Sequence, residues 1–132
     1  MKKHLLIAFP YKADAQGNYY PILSLSLELV GKKKEFFALV DSGATISIFR
    51  PEVADSLEIR IENGKEVYLG GVGGRIKGYI HKLEVEIAGK EFLCPIVFSR
   101  EYNVSFNLLG REEFFRRFRI IFEEKRNRLK LE

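Results

Sequence analysis

The sequence has no tryptophan, one methionine, two histidines, four prolines and a single cysteine. Each scarcity excludes something. Cys94 has no partner for an internal disulfide, and with only His4 and His81 beside it no cluster of recognisable metal-ligand spacing arises. No metal or other cofactor is therefore expected. The neighbours of Cys94 are Phe92, Leu93, Pro95, Ile96 and Val97, which points to a buried structural thiol. Long hydrophobic runs are also missing: Leu5 to Phe9 is five residues before Pro10, too short for a secretory leader or a membrane span. A reducing cytoplasm is the expected compartment, with no membrane partner. Nor does one sign of charge dominate. The 22 basic residues face 18 acidic ones, and the basic runs Lys32-Lys33-Lys34 and Arg116-Arg117 lie beside acids. Solvated surface is expected there, and no nucleic-acid partner.

What is present is a folding composition: 46% hydrophobic residues, with 11 Phe and 6 Tyr, in a length that suits one core. One domain over residues 1–132 is expected, with residues 1–19 an extension of unassigned role. Apolar and polar residues alternate with period two over Tyr20 to Val30, Glu35 to Val40, Lys65 to Leu69, Ile76 to Ile87 and Glu91 to Phe98. These predict strands. Ala88-Gly89-Lys90 predicts a hairpin turn between the last two. Helix is scarce. Pro51 to Leu57 suits a short one with proline in its first turn, and Arg111 to Phe118 another, with acids at its start and bases at its end. Arg119 to Glu123 and Arg128 to Leu131 flank a polar turn at Asn127 and predict a terminal hairpin. The class is all-β with two short helices and a mostly antiparallel middle.

Three places carry chemistry. Asp41 follows the apolar strand Phe36-Phe37-Ala38-Leu39-Val40 and precedes Ser42-Gly43-Ala44, so an acid emerges at a strand end onto a loop of small residues. Taken alone, Asp-Ser-Gly is also what an ordinary turn contains. Next comes Leu69-Gly70-Gly71-Val72-Gly73-Gly74-Arg75-Ile76. The phosphate-binding pattern G-x-G-x-x-G fails because Ile76 stands where a third Gly is needed, and a strand follows where a helix is required. Four glycines in five residues suit a mobile hairpin tip better than a plain turn. Last, Asn107-Leu108-Leu109-Gly110-Arg111 carries an apolar pair into a glycine before a helix, which by itself also fits a core strand.

In this order and spacing, the three motifs resemble the aspartic peptidases of the retroviral type. That family carries an apolar pair before Asp-Thr/Ser-Gly-Ala, a Gly-rich flap about thirty residues on, and an apolar-apolar-Gly motif before a helix. Here Gly70 lies 29 residues after Asp41, and Gly110 lies 69 after it. The resemblance runs from about Tyr20 to the C-terminus. It implies a single-lobe retropepsin-like acid protease fold with a closed, barrel-like β body, acting as a homodimer on a peptide or protein substrate. It implies Asp41 as catalytic residue in an active-site loop of Ser42, Gly43 and Ala44, with Ser42 buttressing the loop across the axis and Gly43 keeping the backbone close to substrate. Leu69 to Gly74 and Ile76 would form the flap that closes over substrate, and Leu108, Leu109 and Gly110 would support the loop. Two departures stand out. Thr45 replaces a second acid that in the family pairs with the Arg after the late Gly, leaving Arg111 without that partner. The tail after Gly110 is longer, more like the end of cellular single-domain relatives and of pepsin lobes.

Aspartic proteolysis needs two carboxylates that share a proton, one acting as base and the other as acid. The chain has one such motif; Asp55-Ser56-Leu57 lacks the glycine. A two-fold homodimer supplies the second Asp41. Two rivals use other chemistry. One makes Ser42, Ser47 or Cys94 a nucleophile with His4 or His81 as base, although no G-x-S-x-G elbow exists. The other is a module on the same dimeric fold that binds peptide without cutting it.

Overall fold

The computed structural model describes residues 6–132. The predicted strands form, mostly a little longer or shorter than their sequence patterns. In chain order the elements are β1 (Ile7–Pro10), β2 (Lys12–Ala13), β3 (Tyr19–Tyr20), β4 (Ile22–Leu29), β5 (Lys32–Val40), β6 (Ser47–Phe49) and α1 (Pro51–Ser56). They continue with β7 (Lys65–Gly71), β8 (Gly74–Ile87), β9 (Lys90–Phe98), β10 (Asn107–Leu109), α2 (Phe114–Arg117), β11 (Ile120–Glu123) and β12 (Arg128–Leu131).

Period two decides which side chains face inward. In β4 the buried residues are Leu23, Leu25 and Leu27, while Ser24 and Ser26 alternate with them toward the surface. The same rule buries Leu83, Val85 and Ile87 of β8 and Phe92, Cys94 and Ile96 of β9. These join one core that reaches from Tyr11 to Leu131. The main sheet has the order β4-β5-β10-β6-β9-β8-β7, and a further β4–β8 pairing closes it into a six-stranded barrel. Among the described residues β7 pairs only with β8, so the β7–β8 hairpin projects from the barrel. The β8–β9 turn is Ala88-Gly89, both in left-handed backbone, as a two-residue hairpin loop requires.

The middle of the chain is not antiparallel throughout. β10 runs parallel to β5, with Leu109 opposite Val40, and β6 runs parallel to β9. β10 also pairs antiparallel with β6 through Leu108 and Ile48, so it lies between β5 and β6. The loop from Asp41 to Ile46 must therefore step across the end of β10. This crossing positions the candidate site.

The second helix is shorter than its pattern predicts, covering Phe114–Arg117 alone. The N–H groups of Arg111 and Glu112 donate to the carbonyls of Ala44 and Thr45, and Glu113 sits in left-handed backbone at φ 65°. The backbone predicted to begin the helix instead clamps the Asp41 loop. A separate sheet of order β1-β12-β11 joins the two ends of the chain, with Phe9 opposite Leu129 and Leu129 opposite Phe122. Residues 7–10, 12–13 and 19–20 thus pair into sheets. Among the described residues no helix is long and apolar enough to cross a membrane.

Candidate active site

Asp41 stands one residue past β5. Its N–H donates to the Leu109 carbonyl at 3.0 Å, extending the β5–β10 ladder by one step. The chain then turns tightly. The Gly43 N–H donates to Asp41 Oδ1 at 2.9 Å, and the Ala44 N–H to the Asp41 carbonyl at 3.2 Å. One carboxylate oxygen is thereby oriented, and the group stays partly exposed. A Cβ on Gly43 would lie 3.2 Å from that oxygen, so even a methyl group would crowd the carboxylate. Ser42 and Gly43 are exposed, and Ala44 is half-buried.

Gly110 fixes the far side of the loop. A Cβ there would lie 2.4 Å from the Ile46 carbonyl oxygen and 2.9 Å from that of Ala44, contacts that no side chain tolerates. Its N–H donates to the hydroxyl of Ser47 at 3.0 Å, and Ser47 is fully buried. Leu109 is fully buried beneath the loop and Leu108 half-buried. Asn107 ties three segments together. Its Nδ2 donates to the Phe37 carbonyl, and its Oδ1 accepts from the Arg50 N–H, both at 2.8 Å. The sequence gives little warning of Ser47 and Asn107 as positioning residues, because their partners lie 57 to 70 residues away in the chain.

Strand alternation puts Phe37 and Leu39 on one face of β5, leading toward Asp41. Two adjoining cavities lie along it, of about 400 and 220 Å³, and Ile22, Leu39 and Phe106 line both. Lys12 and Arg50 stand at the larger one, Asp14 and Tyr20 at the smaller. Phe37 and Phe106 leave 51% and 38% of their surface in water, which is a poor use of aromatic rings unless something covers them. Lys12 Nζ covers part of the Phe37 ring at 4.2 Å from its centre. Nearby, burial pushes the Tyr102 phenol up to about 12, Arg50 opposes the rise, and the Asp41 charge adds to it. That phenol donates to the Phe106 carbonyl at 2.8 Å.

The glycine hairpin is the other predicted element. Leu69 pairs with Ile76, Gly70 with Arg75 and Gly71 with Gly74, leaving Val72 and Gly73 as the tip. Gly73 and Gly74 adopt φ of 100° and 121°, which only glycine takes without strain. Gly70 and Gly71 are different: their φ values are ordinary, and a Cβ on either would meet nothing within 4 Å. Val72 is fully exposed.

The nucleophile rivals fare poorly. Ser47 has no exposed surface and its oxygen accepts the Gly110 N–H. Burial, with nearby Glu113 and Glu112, pushes the Cys94 thiol up to about 12, far from a reactive thiolate. His81 Nε2 donates to the Ile61 carbonyl at 2.8 Å and serves as a clasp for that turn. His4 lies outside the described residues. Among the described residues no carboxylate lies within ion-pair distance of Arg111, whose backbone N–H donates to the Ala44 carbonyl at 2.8 Å, and no group of acids, histidines and cysteine has the arrangement of a metal site.

Known proteins share the family pattern and the fold. The family model described as aspartyl protease matches residues 26–112, from within β4 to just past Gly110. A retropepsin-like aspartic protease from Rickettsia conorii superposes with a TM-score of 0.66 at 21% identity, covering 98% of this chain and 100% of that one. The EIAV protease, solved with the inhibitor HBY-793, superposes with a TM-score of 0.56 at 19% identity, over 70% of this chain and 82% of the other. No match to a curated protein is found. The fold is retropepsin-like, and with the family model covering well over half its length, the chain belongs to the aspartyl protease family.

Proposed function

We propose that this protein is an aspartic endopeptidase whose dyad consists of Asp41 from each of two copies. The observation that carries the proposal is the Asp41 loop, in which a carboxylate is oriented by the Gly43 N–H on a turn pinned over Gly110. One carboxylate takes a proton from water as that water attacks the peptide carbonyl carbon. The other gives its proton to the carbonyl oxygen, and collapse of the tetrahedral diol returns a proton to the leaving amine. Ser42 buttresses the loop across the axis, and Gly43 admits the substrate backbone. The β7–β8 hairpin acts as the flap, with Leu69 and Ile76 on one face and Val72 at its tip. The bare Gly70 and Gly71 support this role, since nothing among the described residues requires them to lack side chains. β7 is also the open edge of the main sheet, so an extended peptide can add to it as a strand. The exposed apolar lining near Leu39 favours hydrophobic residues beside the cleaved bond. A cytoplasmic setting belongs to the same proposal, supported by the single buried cysteine.

The test is a mixed peptide library incubated with wild-type protein, with and without a transition-state mimic of peptide hydrolysis, beside Asp41→Asn. Wild-type protein is expected to cut with a bell-shaped pH profile, because the reaction needs one carboxylate as base and the other as acid. The mimic is expected to block cleavage, and Asp41→Asn to lower it by about 10²–10⁴-fold. The variant keeps its fold, since an Asn oxygen still accepts from Gly43. Full activity in Asp41→Asn overturns the assignment. Peptide capture without cleavage by wild-type protein establishes the binding-module reading instead.

A further inference from the structure

The β2–β3 ribbon adds nothing to the core. Its paired residues Lys12, Ala13, Tyr19 and Tyr20 are all exposed, and among the described residues its two strands pair only with each other. A ribbon this short does not persist alone in water. Asp14 holds its turn, accepting from the N–H groups of Gln16 and Asn18 at 2.9 Å each, from Asn18 Nδ2 at 3.3 Å and from the Tyr20 hydroxyl at 3.2 Å. Lys12 lays its ammonium on the exposed Phe37 ring of β5, 4.2 Å from the centre. The ribbon thereby walls the two cavities beside β5, and these differ in charge. At the larger one the ionised groups are Lys12 and Arg50, with no carboxylate, whereas at the smaller the ionised group is Asp14. Among the described residues no carboxylate pairs with Lys12, and Arg50 has Glu52 at 3.4 Å, with both side chains well exposed.

We infer that the larger cavity binds an acidic side chain of the peptide substrate, with Lys12 and Arg50 as the residues that set this preference. This rests on the proposed peptidase reading. Two cations beside exposed aromatic rings suit a carboxylate on an aliphatic stem: the charge meets Lys12 and Arg50, while the methylene groups cover Phe37 and Phe106. A basic side chain meets two like charges there. The smaller cavity, with Asp14 on its wall, disfavours an acid, so the pair sorts substrate side chains by charge. Strand geometry gives the position along the substrate. Phe37, Leu39 and Asp41 follow one face, and at about 3.3 Å per residue Phe37 lies about 13 Å from Asp41. A side chain of an extended peptide that reaches this cavity therefore comes from a residue about two to four positions from the cleaved bond. Exposed ion pairs are individually weak, so two of them favour an acid by about three- to tenfold.

Digestion of the mixed peptide library, with cleavage sites read by mass spectrometry, tests this. With wild-type protein, Asp and Glu are expected to be enriched about three- to tenfold over Asn and Gln at a position about two to four residues from the cleaved bond. That enrichment is expected to shrink in about 0.5 M salt, which screens exposed charges. Lys12→Gln keeps a chain over Phe37 without the charge and is expected to flatten the preference. Lys12→Glu is expected to invert it toward Lys and Arg. Lys12 is exposed, so both variants are expected to fold, which circular dichroism checks. Wild-type protein that cuts without an acidic preference, or either variant keeping that preference, overturns the pocket and spares the dyad. A folded Lys12→Gln protein that cuts no peptide also overturns it, since loss of a preference leaves neutral peptides as substrates. If wild-type protein cuts nothing, the library is passed over immobilised wild type and Lys12→Glu. Retention of acidic peptides by the first and basic peptides by the second upholds the pocket against the proposed activity, and any other retention overturns both.

Discussion

The Asp41 loop and the β7–β8 hairpin are both glycine-bearing turns, yet their glycines answer to different demands. In the loop, every glycine is explained within the chain: Gly43 by the carboxylate 3.2 Å away, and Gly110 by two carbonyl oxygens inside van der Waals contact. In the hairpin, Gly73 and Gly74 are explained by their backbone conformation, but Gly70 and Gly71 by nothing among the described residues. The loop's glycines answer to contacts within the chain, whereas Gly70 and Gly71 border open space.

The largest break in this contrast is expected at Gly110. Gly110→Ala must push the Ala44 and Ile46 carbonyls aside, costing about 1–3 kcal/mol as overpacking does. Thermal unfolding is expected to show that loss, together with a fall in peptide cleavage as Asp41 is displaced. Gly71→Ala should separate the two quantities. Its unfolding midpoint is expected to stay near wild type, within about 0.5 kcal/mol for an exposed site, while KM for peptide rises. If Gly71→Ala destabilises the free chain as Gly110→Ala does, the hairpin glycines serve the fold after all. The smallest effect concerns a turn outside both regions. Val30 is β-branched, 93% exposed and held at φ 47° in the β4–β5 turn. Val30→Asn is expected to raise stability by about 1 kcal/mol in denaturant unfolding, because Asn tolerates left-handed backbone better.

The features visible in the sequence were the local ones. Period-two alternation marked β4, β5, β8 and β9, since burial on one face dictates which residue types alternate. The proline start of α1 and the Asn127 turn, at φ 50°, were equally local signals. What stayed hidden depended on distant partners. Nothing in Asn107-Leu108-Leu109 announces that it runs parallel to β5 and lies between β5 and β6, because a three-residue strand carries no periodicity to read. The start of the second helix is hidden for the same reason. Arg111 and Glu112 have suitable side chains, but their N–H groups are claimed by carbonyls 67 residues earlier. The pairing of β1 with β12 joins opposite ends of the chain, and Ser47 reads as an ordinary small polar residue until Gly110 is seen against it. Asp41 itself was legible only through its spacing to two other motifs.

On the proposed mechanism Asp41 is half of a site. Wild-type protein can be mixed with Asp41→Asn at fixed total concentration, subunits allowed to exchange, and peptide cleavage measured against the wild-type fraction. If both carboxylates are needed, activity falls as the square of that fraction, to about a quarter in an equal mixture. Activity that falls only in proportion, to about half, would mean that each copy of Asp41 works without its partner, and would rule out a shared dyad.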